Sequence, residues 1–189
     1  MLAARRTWCG YAIYGVFAWC PDCGIHNSLQ ILGTNLDLAK KKLALAESVE
    51  VELVETLVAD ALAGVVSAFD GFGRQLCSEG ESKASFQNLE GGRKRVQQKL
   101  AFDMADAVME EEWRSACRSF QKRHLLAHRM GVVDEEYVEK ACDPAAVVGR
   151  KVTLASDEVE ALIGIIERIG KRLYEGVLPK SDKPSENCE

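Results

Sequence analysis

The sequence predicts an all-α fold, an antiparallel helical bundle preceded by a small cysteine-containing segment. Two observations carry this expectation. Apolar residues recur at helical spacing through most of the chain, and capping or charge signals mark the ends of several of those stretches. From Ser28 to Ala46, the apolar positions Leu29, Leu32, Leu36, Leu43 and Ala46 fall largely on one face, with Lys40, Lys41 and Lys42 placed for water. A long second helix follows to about Leu76, its core face marked by Val51, Val54, Val58, Ala61, Leu62, Val65 and Phe69.

The stretch 78–92 is polar at its start and ends in Gly91-Gly92, so it reads as a loop with at most one short turn around Phe86. Asp70-Gly71-Phe72-Gly73-Arg74 lacks both the preceding strand and the Gly-Lys-Ser/Thr ending of a phosphate loop. It reads as a bend or helix end, with Arg74 a candidate for an RNA-facing patch. A third helical region begins near Arg93. From Glu110, the positions Trp113, Cys117, Phe120 and Leu125, closed by Gly131, describe an amphipathic helix with an acidic first turn and a basic last turn, as the helix dipole favours. Asp134 is suited to cap a short helix through Tyr137 and Val138. Pro144 interrupts before an extended stretch from Lys151 to Leu154. Ser156, Asp157 and Glu158 then open a last helix carrying Leu162, Ile165, Ile166, Ile169 and Leu173.

These readings divide the chain into an N-terminal Cys-x2-Cys segment (1–27), a helical domain (28–178) and a disordered tail (179–189). With 189 residues and 47% apolar content, one substantial core is expected rather than two. A net charge of -5 excludes a general nucleic-acid coat, so any RNA contact must use a local patch. Seven irregularly spaced cysteines suggest reduced thiols and a cytoplasmic setting. Arg5-Arg6 and the uncharged run from Thr7 to Trp19 superficially resemble a secretion signal. The run is shorter than the roughly 20 residues a membrane helix needs, and it ends in Cys-Pro-Asp-Cys-Gly. A buried or strand-like segment leading into a turn, with no membrane partner, is the expectation.

The segment Arg123-His124-Leu125-Leu126-Ala127-His128 is the first candidate for chemistry. Histidine, with an ordinary pKa of about 6.5, exchanges protons near neutrality. Arginine offers phosphate a permanent charge and a planar fork. On an ideal helix His124 and His128 share a face, whereas Arg123 and His128 stand about 140° apart. One helix therefore does not bring the arginine and histidines together, but two such helices in a two-fold dimer could gather them around one phosphate. The bland alternative places His128 against the helix dipole and Arg123 in a surface ion pair.

The string from Phe120 to Asp134 resembles the signature of the HEPN (higher eukaryote and prokaryote nucleotide-binding) family. That signature is an arginine, usually followed by a polar residue, and a histidine after four to six intervening positions. Here these are Arg123, His124 and His128. The resemblance implies a small helical bundle that dimerises and cleaves RNA without a metal cofactor, leaving 2′,3′-cyclic phosphate and 5′-hydroxyl ends. It also implies a toxin–antitoxin or defence setting with an antitoxin or other protein partner. Some family members are catalytically inactive and bind RNA, a nucleotide or a protein, so that reading stands beside the nuclease.

Cys20-Pro21-Asp22-Cys23-Gly24 is suited to a zinc knuckle, since its turn lets two thiolates meet one ion. Structural zinc normally takes about four ligands, and only His26 and Cys9 lie close by. A structural zinc held by Cys20, Cys23 and His26, a remnant of a zinc ribbon, and a small metal-dependent adaptor are the three readings of this turn. Cys77, Cys117, Cys142 and Cys188 lack paired spacing and are expected to be ordinary core or surface residues.

Overall fold

The computed structural model describes residues 27–77 and 85–177, together with two two-residue strands, β1 (Arg5–Arg6) and β2 (Ala12–Ile13), which pair antiparallel. Cys20, Cys23, His26 and the tail from 179 lie outside the described residues. The fold is an all-α bundle of α1 (Ser28–Ala46), α2 (Val51–Cys77), α3 (Leu89–Leu100), α4 (Glu110–His128), α5 (Glu135–Ala141) and α6 (Ser156–Val177), with a 3-10 turn at Met104–Ala107. None of the described helices is long and apolar enough to cross a membrane.

α1 and α2 form a helical hairpin across the short connection 47–50, and α6 packs against both. Leu162, Ile165, Ile166, Ile169 and Leu173 of α6 are all buried, as their spacing predicts. Each such burial contributes roughly 1.5 to 3 kcal/mol, so this stripe rather than helix propensity holds α6 in place. On the outer side, Lys40 of α1 reaches Glu167 of α6 at 2.6 Å. Val51, expected on the core face of α2, is 82% exposed because it is the first residue of the helix and lies beyond the covering elements.

Two expectations about the middle of the chain are corrected. Gly71 to Arg74 is not a bend, since α2 continues through it to Cys77 with Arg74 in its last turn; and α3 starts at Leu89, so Gly91-Gly92 belongs to its first turn rather than to a loop. The cause is Phe86, which is fully buried and meets Phe69 edge-on at 6.0 Å. A Cβ on Gly73 would stand 2.5 Å from its ring and one on Gly92 2.7 Å, so both glycines make room for an aromatic wedge between helices. Asp70 fixes the wedge by accepting the Phe86 N–H at 2.5 Å, and Asn88 caps α3 by accepting from Gly91 N at 3.1 Å.

α4 runs over the predicted stretch and stops at a left-handed turn, with Met130 at φ 53° and Gly131 at φ 75°. The Arg129 and Gly131 N–H groups both donate to the Leu125 carbonyl, at 2.8 and 3.0 Å. Asp134 caps α5 through Tyr137 N at 2.8 Å. The expected extended stretch returns along this turn: Lys151 bridges to Val132, and Val152 N donates to Gly131 O at 2.8 Å. Leu125, Val133, Tyr137 and Ala141 form a second small core under the end of α4.

Candidate functional site

The last turns of α4 send neighbouring side chains to different places. Leu125 enters the second core and Leu126 packs half-buried against the main one, and these adjacent apolar anchors fix the rotation of the helix. His124 and His128, one turn apart, are left exposed. Their rings stand 4.7 Å apart at an interplanar angle of 53°.

Arg123 is half-buried and donates from Nη1 to Gln87 Oε1 at 3.2 Å. Gln87 Nε2 lies 3.4 Å from Asp70 Oδ2. Buried Asp70 also accepts from Ser85 Oγ at 3.2 Å and pairs at 2.9 Å with Arg74, whose side chain stays half exposed. Arg123 is thus braced from the interior of α2. The structure pairs the two histidines with each other and gives Arg123 to Gln87, on a flank of α4 about 140° from His128.

Lys122, which sequence reasoning passed over, is buried beside the motif. Its ammonium donates to Glu158 Oε2 at 2.7 Å and to the Thr153 carbonyl at 2.9 Å. Its signal was phase: it stands three residues after Ser119 and four before Leu126, both of which face inward. One layer away, Tyr137 donates to Asp143 Oδ2 at 2.7 Å. Burial pushes the Tyr137 phenol up, and the carboxylate beside it adds to the shift. Burial alone would raise Asp143, but the Tyr137 hydroxyl, the Ala145 N–H and the charges of Lys122 and Arg118 outweigh it and hold the carboxyl below its usual range.

A cleft of about 210 Å³ opens where α3 begins, lined by Asn88, Leu89, Glu90, Cys117, Gln121 and Lys140. Glu90 Oε1 accepts from Trp113 Nε1 and, at 3.5 Å, from Cys117 Sγ. Burial, reinforced by the Glu90 charge and hydrogen bond, pushes the Cys117 thiol up to about 12. Cys117 therefore stays protonated near neutrality and is a poor nucleophile. Among the described residues, no group of three or more His, Cys, Asp or Glu is arranged to hold a metal ion. Compared with protein-family models, curated proteins and solved structures, the chain matches none.

Proposed function

We propose that the protein is a metal-independent endoribonuclease of HEPN type, acting as a homodimer. The observation that supports this reading best is the exposed His124–His128 pair one turn apart on α4. A second copy across a two-fold axis supplies the arginine that one helix holds away from its own histidines. His128 takes the proton of a ribose 2′-hydroxyl, or gives one to the leaving 5′-oxygen. The 2′-oxygen bonds to phosphorus as the bond to the 5′-oxygen breaks, leaving a 2′,3′-cyclic phosphate and a 5′-hydroxyl. Arg123 stabilises the charge of the phosphorane, and His124 orients the phosphate or shares the proton transfer.

In this reading the enzyme belongs to a toxin–antitoxin or defence system with an antitoxin as partner, as the resemblance implies; the cysteine usage favours a cytoplasmic setting, and the Cys-x2-Cys turn favours a structural zinc held by Cys20, Cys23 and His26. A catalytically inactive module that binds RNA, a nucleotide or a protein is the second reading. It is favoured by the hydrogen bond that occupies Arg123 with Gln87. Metal-free digestion of a panel of structured and single-stranded RNAs separates them. Cleavage with cyclic-phosphate ends supports the nuclease, whereas binding without cleavage supports the module.

A further inference from the structure

Trp113, Cys117, Gln121, His124 and His128 fall within an arc of about 80° on α4. The cleft lined by Cys117 and Gln121 therefore shares the flank that carries the histidine pair, with His124 one turn past Gln121, about 5 Å along the axis. It also adjoins the arginine brace, since Gln87 holds Arg123 and the next residue, Asn88, lines the cleft. A nucleotide whose phosphate sits at the histidines has its neighbouring base within reach of this opening.

The lining chooses among bases. Glu90 brings a carboxylate whose Oε1 is held by the Trp113 indole and, at 3.5 Å, by Cys117 Sγ, which sets the plane of the acceptor. Guanine presents two adjacent donors on its Watson–Crick edge, the ring N1–H and the exocyclic amine, and a carboxylate accepts both. Adenine, cytosine and uracil present no such adjacent pair. Guanine's carbonyl oxygen needs a donor, and Asn88 and Gln121 bring amides to the lining and Lys140 an ammonium that also pairs with Glu136 at 2.5 Å. The side chains of Leu89 and Cys117 supply the apolar part of the lining.

We infer that this cleft is a guanine-binding subsite, reading an unpaired base of the RNA next to the phosphate held by His124 and His128. The inference rests on the RNA-directed reading above, and its test does not use cleavage. The Trp113 indole N–H reports on Glu90 directly, and its resonance in the full chain is assigned with Trp113→Phe. Titration with guanosine monophosphate is expected to shift it saturably. Adenosine, cytidine and uridine monophosphates, and the Glu90→Gln and Gln121→Ala variants, should bind at least roughly tenfold more weakly, as loss of a paired base contact implies. Glu90→Gln keeps an acceptor for Trp113, and Gln121→Ala leaves that bond untouched.

No shift with guanosine monophosphate, the same shift with inorganic phosphate or with all four nucleotides, or wild-type binding by both variants overturns the subsite. Guanine-selective binding by a protein that cuts no RNA keeps the subsite and removes the nuclease. Cleavage without guanine-selective binding does the reverse.

Discussion

The Lys122 ammonium lies 2.7 Å from Glu158 Oε2, with the two side chains only 8% and 20% exposed, so the residue before Arg123 is a buried cation tying α4 to the start of α6. Removing one partner of such a pair strands the other, which typically costs about 3 kcal/mol or more. Lys122→Met is expected to lower stability to urea by that order. Lys122→Met combined with Glu158→Leu should recover much of the loss, because neither charge then remains buried alone. A double variant as unstable as the single one would show that the pair itself is strongly attractive.

Glycines in the helices separate into two groups with opposite expected effects. Gly73→Ala and Gly92→Ala drive a methyl into the Phe86 ring and should destabilise by about 1 to 3 kcal/mol. Gly64 and Gly164 lie inside α2 and α6 with nothing within 4 Å of an added Cβ. Alanine there should stabilise by roughly 0.5 to 1 kcal/mol, through helix propensity alone. Thermal unfolding of the four variants checks the sign of each.

That contrast marks what was legible in the sequence. The repeating stripe of α6, the Asp134 cap and the Gly131 stop are local signals, and each lies where the spacing places it. The Phe86 wedge is not local. Its partners, Phe69, Gly73 and Gly92, are brought together only by packing, so Gly73 and Gly92 read as helix breakers when they are sites of close approach. The same holds for the candidate site. The shared face of His124 and His128 follows from helical geometry, whereas Gln87 meets Arg123, and Asp70 meets Gln87, only across the fold, and neither forms a motif with the arginine.

Acid should weaken the junction between α3 and the 3-10 turn. Burial alone would raise the Asp103 carboxyl, but its hydrogen bonds from Arg93, Ala105 N and Gln97, together with the Arg93 charge, hold it below the usual range. A carboxyl depressed in the folded state adds stability that is present above its unfolded pKa of about 3.9. That contribution is lost as pH falls through the lower folded value. Asp103→Asn should be less stable than wild type at pH 7 and should flatten the acid limb of the stability curve below about pH 4. Parallel acid limbs for the two proteins would contradict this assignment.

Thiol labelling should separate two of the described cysteines. Cys142 is exposed, while Cys117 is partly covered and its thiol is pushed up to about 12 by burial and by Glu90. Because the thiolate is the reactive form, peptide mapping after brief alkylation at pH 7.5 should find Cys142 modified well before Cys117. Glu90→Gln should speed the reaction at Cys117 by removing the negative charge beside it. Equal rates at the two positions in wild type would contradict the burial.

The proposed dimeric active site makes the most demanding prediction, because it separates the roles of two residues on one helix. Loss of a positioned acid or base typically removes roughly 10²- to 10⁴-fold of rate, about 3 to 5 kcal/mol of barrier lowering. His128→Ala and Arg123→Ala should each lose RNA cleavage on that scale, with circular dichroism and light scattering unchanged and EDTA without effect on wild type. Since Arg123 and His128 stand about 140° apart around α4, the proposed dimer has the arginine that serves a given histidine come from the other copy. Mixing the two inactive variants under conditions that exchange subunits should then restore cleavage that neither has alone. In a mixed dimer, the intact arginine of one copy meets the intact histidine of the other. A mixture as silent as its components, from variants shown to exchange, would place both residues in one subunit's site or outside the chemistry. A strict monomer at micromolar concentration, with or without RNA, would remove the shared site altogether.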